Sequence, residues 1–325
     1  MTLVNKILYI SIFLFFFSCQ DSVQKHSLNG YTQGTSYMIK YNHSDDVVSY
    51  YEIDSLLQNI ELSMSSYIDN SLISFINKGI VVDLDSLLET VLKRSIEICH
   101  ETDGMFDVTI APLVDYWGFG PDKIKKKSSS DDSISYSLNI GCDKIRLQNN
   151  QIIKSNEVTI DVNGIAQGFT VDYITQYFHK MNIYDFMIEV GGEIRCSGDN
   201  MGNGWKIGID KPTDRKRGFA FILNLKDISL ATSGSYRNYY YSDSIKISHT
   251  INPKTLLPAD NKLLSATILH NNCMSADAYA TACMSFGLIS AKIFLEKHKI
   301  PGCLIYVENN DTLNYFSSGF SSFLH

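Results

Sequence analysis

Several common signatures are missing from this chain. None of its cysteines is spaced CxxC and none of its eight histidines falls in HExxH, so no zinc signature is present. It has no GxGxxG and no GK[ST], which excludes the dinucleotide fingerprint and the P-loop. Basic charge is short: 28 Lys and Arg against 35 Asp and Glu leave a net −7. With no basic stripe either, nucleic acid is not an expected partner. No internal repeat is visible, and no apolar run approaches the ~20 residues that span a bilayer.

What is present describes a folded protein. Of the 325 residues, 44% are hydrophobic and 19% charged, a globular composition for one large domain or two smaller ones. The chain starts MTLVNK, followed by the apolar ILYISIFLFFF (7–17) and then SCQDS. That pattern fits the core of a signal peptide, residues 1–18. Ser18 before Cys19 resembles a lipoprotein processing site, with Phe16 where Leu is commonest. Cys19 is then the lipidated first residue and residues 19–30 a polar tether; a plain secretory signal or short anchor is the other reading. Cys99, Cys142, Cys196, Cys273, Cys283 and Cys303 remain. In a chain large enough to fold on its core, most are expected to be buried thiols.

The rest reads as mixed α+β. Strands are expected at 31–41, 157–162, 186–198, 205–212, 219–225 and in the SATILHN segment, with more around the loops of 228–253. Helices are expected at 51–67, at 84–104 with Asp85 at its start and Gly104 past its end, from Ala166 through VDYITQYFHKM, and from about Ser275 to Lys297. The run KIKKKSSSDDSIS (123–135) reads as a solvated loop.

Five stretches carry chemistry, each open to a plainer reading. In SADAYATA (275–282), Asp277 and Thr281 are four apart, so on a helix they share a face and aim two oxygens at one point. That suits a hard cation such as Mg²⁺, while an Asp near a helix start also simply offsets the helix dipole. TIDVNGIAQGF (159–169) enters a helix through Gly164 and Gly168, a phosphate-binding geometry or a tight turn. GMFDVTIAPLVDYWGFGP (104–121) surrounds Asp107 with aromatics, which stack on a flat ring or pack a core around a turn-capping Asp. SMSSYIDNSLISFIN (63–77) holds Tyr67 in a polar loop, with Asp69 or Ser71 as an N-cap. In ISHTINP (247–253), His249 is a proton-transfer group or a structural hydrogen-bonder.

Taken in order, these stretches together with IEVGGEI and LATSGSYRNYY make the chain, over roughly residues 30–320, resemble the ApbE family, the FAD:protein FMN transferases. The resemblance implies an ApbE-like, T-fold-related α+β domain over 31–325, with mixed sheets, packed helices and an FAD cleft between sub-domains. It implies a Mg²⁺-dependent transfer of the FMN half of FAD to a Thr or Ser of an exported acceptor flavoprotein, such as a subunit of a membrane redox complex, with release of AMP. Asp277 and Thr281 match the side-chain metal ligands and Gly164 the carbonyl ligand. Gln33, Tyr67, Met105, Phe106, Asp107, Asp161, Gln167 and Ile251 fall at FAD-contacting positions. His249 matches the histidine that assists proton removal from the acceptor, so His249 and Asp277 are the expected catalytic pair. A lipid anchor facing the periplasm, most simply on the inner membrane, goes with this reading.

The chain also departs from the family pattern. Gln167 replaces a Lys and Asn163 a Gly; Asn252 replaces the Asp of HxIDP, Leu256 a Gly, and Gln33 a Met. Loss of a Lys near a pyrophosphate weakens binding by about 1–3 kcal/mol where the contact is partly buried. FAD pyrophosphatase activity, or flavin binding without catalysis, are the alternative readings.

Overall fold

Residues 24–30 are strand, not tether. In the computed structural model, which describes residues 22–120, 134–212, 218–235, 239–242, 245–259 and 262–325, β1 (Gln24–Thr32) pairs antiparallel with β2 (Thr35–His43) along its whole length. Gln33 and Gly34 join them at φ +50° and +71°, the conformation of a two-residue primed hairpin turn. The stretch 31–41 is therefore the tip of a hairpin and one of its strands. The expected signal peptide and Cys19 lie outside the described residues, as does most of 123–135.

Helix α1 (Tyr50–Met64) starts at a capping box of Ser49 and Glu52. Ser71, not Asp69, caps α2 (Leu72–Asn77). Asp85 caps α3 (Ser86–Glu101) through the Leu88 N–H, and Gly104 lies beyond its end at φ +78°. Next come α4 (Ala111–Tyr116) and the hairpin of β3 (Arg146–Gln148) with β4 (Gln151–Ile153). Residues 157–162 are not a ladder strand despite their alternation. Their backbone is held by the Asn77 side chain, which bonds both the N–H and the C=O of Ile160, and by Val108 O, which accepts from Asp161 N. Helix α5 (Ala166–Lys180) follows.

The main sheet contains eight strands in the order β1-β2-β5-β6-β9-β12-β13-β14, every neighbouring pair antiparallel. The central strands are β5 (Phe186–Val190), β6 (Glu193–Ser197), β9 (Ile228–Gly234) and β12 (Leu263–His270); β13 (Gly302–Glu308) and β14 (Asp311–Phe316) complete it. Two further hairpins stand apart, β7 (Trp205–Asp210) with β8 (Phe219–Leu225) and β10 (Tyr239–Ser242) with β11 (Ile245–Ser248).

Alternation sorts the sheet's two faces. Phe186, Ile188 and Val190 pack with Val171, Ile174 and Phe178 of α5, while Ala231, Ala266 and Ile268 join Ala276 and Ala280 in one core. The opposite positions, Met187, Cys196, Leu230 and Leu269, pack with Ile207, Leu223 and Leu225 of the β7–β8 hairpin. The expected helix from Ser275 to Lys297 is two: α6 (Cys273–Phe286) and α7 (Leu288–His298), broken at Gly287 with φ +72°. Cys99 and Cys142 form a disulfide tying the end of α3 to the loop after residue 139, whereas Cys196, Cys273, Cys283 and Cys303 are buried free thiols.

Candidate active site

Helix α6 packs tightly against α5 and the turn that leads into it, and at Gly168 there is no room for a Cβ. A Cβ at Gly164 would stand 3.1 Å from Thr281 Oγ1, and one at Gly168 only 2.8 Å from Asp277 Cβ and in collision with Cys273 O. The pairs 164/281 and 168/277 advance in opposite directions along the chain, the register of an antiparallel helix pair. The two glycines four apart thus serve the acid and hydroxyl four apart, and the shared face expected of SADAYATA is present. Gly168 N donates to Asp277 Oδ2 at 3.0 Å, and Ser233 Oγ lies 3.3 Å from Thr281 Oγ1.

These residues line one cavity of about 1130 Å³, above the ~300–1,000 Å³ of an ordinary small-molecule pocket. It also takes in Gln33, Tyr67, Met105, Phe106, Asp107, Asp161, Gly164, Gln167, His249 and Ile251. Every site residue expected from the sequence, Cys19 apart, is therefore on its wall. Gln33 is brought there by the β1–β2 turn: its N–H donates to Glu61 and its side chain reaches Thr170 of α5 at 2.7 Å. Both readings of Asp107 hold together, since it caps the turn at Val108–Ile110 by accepting from Thr109 N and Oγ1 while lining the cavity. Of the aromatics, Phe106 and Phe119 line the cavity, whereas Tyr116 and Trp117 pack with Leu113 and Ile251. His249 meets the edge of Phe119 with ring centroids 6.2 Å apart.

The departure at Asn252 has a structural account; Leu256, in a left-handed conformation that suits Gly, has none. Asn252 Oδ1 accepts from Lys254 N and Thr255 N, and Leu256 takes φ +63° within the same turn. Asn252 Nδ2 also donates to Ser285 O on α6, a bond an Asp carboxylate cannot donate.

Electrostatically the cavity is acidic. Burial pushes the Asp277 carboxyl up to about 7, against the pull of the Gly168 N–H, and Asp172 adds to the rise. Burial, then the nearby Asp277 charge, holds the Glu193 carboxyl well above its usual range. Burial likewise raises Asp107 and Asp161, and raises Tyr67, beside Asp161. Glu61, Glu189, Glu193, Asp210, Thr232, Ser233 and Ser285 were not singled out from sequence as site residues. Glu189 and Glu193 lie in IEVGGEI and Thr232 and Ser233 in LATSGSYRNYY, the two stretches that carried a local signal.

The donor set of Asp277 carboxylate, Thr281 hydroxyl and Gly164 carbonyl is all hard oxygen, the chemistry that fits Mg²⁺. Glu193, which also lines this cavity, keeps a buried carboxylate oxygen, Oε2, without a partner, the kind of orphaned group that an added ligand would satisfy.

The ApbE family pattern matches residues 33–304. An FAD:protein FMN transferase of Vibrio cholerae is 34% identical over 332 residues, spanning 98% of this chain and 99% of the relative. Another from Haemophilus influenzae is 31% identical, over 98% of this chain and 97% of its own length. The solved flavin transferase ApbE of Vibrio cholerae superposes with a TM-score of 0.84 at 32% identity, covering 93% of this chain and 100% of that one.

Proposed function

The chain belongs to the ApbE family, a family of flavin transferases, and from that premise we propose that it is a Mg²⁺-dependent enzyme moving FMN from FAD to a Thr or Ser hydroxyl of an exported flavoprotein. The observation that carries this reading is the pairing of Gly164 with Thr281 and of Gly168 with Asp277 on the wall of a cavity large enough for a dinucleotide.

In this reading Asp277, Thr281 and the Gly164 carbonyl hold the cation. When bound, Mg²⁺ supplies neutralisation of the pyrophosphate charge that otherwise repels an attacking oxygen. Phe106 and Tyr67 offer ring faces to the flavin or adenine, and Asp107 and Asp161 offer acceptors to the hydroxyl and amine groups of FAD. His249 takes the proton from the acceptor hydroxyl as its oxygen bonds the FMN phosphorus. The phosphoanhydride bond breaks, AMP leaves, and a phosphoester remains. Water in place of the hydroxyl turns the same chemistry into FAD hydrolysis.

Export is supported by the residue pattern at 1–19 and by the Cys99–Cys142 disulfide, a bond that persists in oxidising compartments. With lipid on Cys19, β1 begins only five positions later, so the domain sits close to the periplasmic face of a membrane, the inner one in the simplest arrangement. Subunits of membrane redox complexes are then within reach as acceptors.

The test is incubation of the purified protein with FAD, Mg²⁺ and a co-encoded acceptor, followed by mass spectrometry of acceptor peptides. A Thr or Ser peptide carrying one added FMN is the expected product. An unmodified acceptor with free FMN accumulating at the same rate in its absence assigns the chain to hydrolysis instead.

A further inference from the structure

His249 sits on a segment that the main sheet does not hold. It follows β11, whose partner is β10 in a hairpin apart from the eight strands. His249, Thr250, Ile251 and Pro253 all line the cavity. The chain then turns back: Leu256 N donates to Asn252 O, Asn252 N to Leu257 O and Ala259 N to Thr250 O, each at 2.8 Å. These internal bonds fix the shape of the turn but not its place.

Its place is set from two sides. On one, Ile251 packs with Leu113 and Trp117, and Trp117 Nε1 donates to Leu256 O at 3.1 Å. On the other stands α6. Asn252 Nδ2 donates to Ser285 O at 3.1 Å, and Ser285 Oγ lies 3.4 Å from Ile251 O and 3.3 Å from Thr281 O, two carbonyls that share its one proton. The carboxamide of Asn252 has one orientation that satisfies it. Its Oδ1 faces the N–H groups of Lys254 and Thr255 at 2.9 and 3.0 Å, which leaves Nδ2 for the Ser285 carbonyl. Ser285 is buried and stands one helical turn past Thr281, as Thr281 stands past Asp277. The Lys254–Asp103 ion pair also touches this turn, but it is exposed and contributes little.

Resting on the transferase reading above, we propose that Asn252 and Ser285 are positioning residues of the transfer step, clamping the His249 segment to the face of α6 that carries Asp277 and Thr281. Neither side chain reacts. Together they hold the group that takes the acceptor's proton in register with the face across which the phosphate is transferred, where a misplacement of about 1 Å costs up to about 100-fold in rate. Asn252→Asp opens the clamp and spares the turn. Its carboxylate still accepts from Lys254 N and Thr255 N, but its second oxygen faces Ser285 O, acceptor against acceptor.

The test is a double-mutant cycle on single-turnover FMN transfer at saturating FAD, Mg²⁺ and acceptor. Asn252→Asp is expected to slow transfer about tenfold in the wild type and less than about twofold in a His249→Ala background, where the clamp has no imidazole to position. The loss is expected in kcat, with KM for FAD held within about twofold. Equal losses in the two backgrounds, a loss that appears in KM, or an unchanged rate overturns the proposal. If His249→Ala shows no transfer at all, the split between kcat and KM decides. Ser285→Ala removes the hydroxyl and keeps the carbonyl; it repeats the cycle with an expected loss of about threefold and carries the test alone if Asn252→Asp does not fold. A wild type that transfers no FMN brings down the transferase reading, and this proposal with it. A wild type that transfers FMN while the losses simply add leaves that reading standing and removes only the clamp.

Discussion

Gly168 and Asp277 lock α5 to α6 twice over: the glycine N–H donates to the carboxylate at 3.0 Å, and the absent Cβ leaves room for the Asp277 side chain. A substitution at 168 therefore acts on stability and on the metal face together. Gly168→Ala forces a methyl against Cys273 O and Asp277 Cβ, and neither backbone nor packed Cβ yields easily. Overpacking of this kind costs about 1–3 kcal/mol, a drop of several degrees in Tm for a chain this size. Gly218→Ala is the control, because no described residue lies within 4 Å of its added methyl. Equal melting of the two variants in calorimetry removes the close approach from the argument.

Asp277→Asn separates charge from packing. The amide oxygen still accepts the Gly168 N–H, so the helix pair is retained and Tm is expected to move little. The anionic ligand is gone, and Mg²⁺ affinity is expected to fall by at least about 100-fold, with turnover following. Calorimetric titration of Mg²⁺ and single-turnover release of AMP measure the two effects. Full turnover by this variant takes Asp277 out of the mechanism.

Legibility from sequence was uneven, for physical reasons. Motifs whose meaning lies within one helix turn could be read directly, as the i, i+4 pair Asp277/Thr281 and the cap at Asp85 show. The strand expected at 157–162 failed because alternation reports burial and not partners; here the partners are Asn77 and Val108. The tether expected at 19–30 failed because β1 is polar and half-exposed, its place set by pairing with β2. Gly287 was absorbed into an apolar run with helical composition on both sides. The carboxylates Glu61 and Asp210 reach the cavity through tertiary approach alone, which no spacing encodes.

Asp172 makes stability depend on pH in a definite direction. Its carboxylate caps α6 by accepting from Cys273 N at 2.8 Å and Met274 N at 2.9 Å. Burial nevertheless raises its pKa from 3.8 to about 6, with those bonds and Arg195 opposing. A carboxyl that holds its proton more tightly when folded contributes stability fully below about pH 4 and loses it as pH rises through about 6. The Tm of wild type minus that of Asp172→Asn is thus expected to be largest near pH 4 and to shrink by pH 7. A gap that widens with pH across a melting series contradicts this assignment.

The Cys99–Cys142 disulfide spans 43 positions, and constraining a loop of that length in the unfolded chain is worth up to about 4 kcal/mol. It also reaches the cavity through a short relay. Gly141, next to Cys142, donates its N–H to Thr109 Oγ1 at 2.8 Å, and that hydroxyl donates to Asp107. Reduction therefore loosens the loop that keeps Asp107 in place. Dithiothreitol is expected to lower the wild-type Tm by several degrees and to weaken FAD binding a few-fold. Cys142→Ser is expected to start at that lower Tm and not to respond to the reductant, because the remaining thiols among the described residues are buried and unpaired. If dithiothreitol leaves wild-type melting unchanged, the bridge contributes nothing to the fold; if melting falls while FAD affinity holds, the relay to Asp107 is the part that fails.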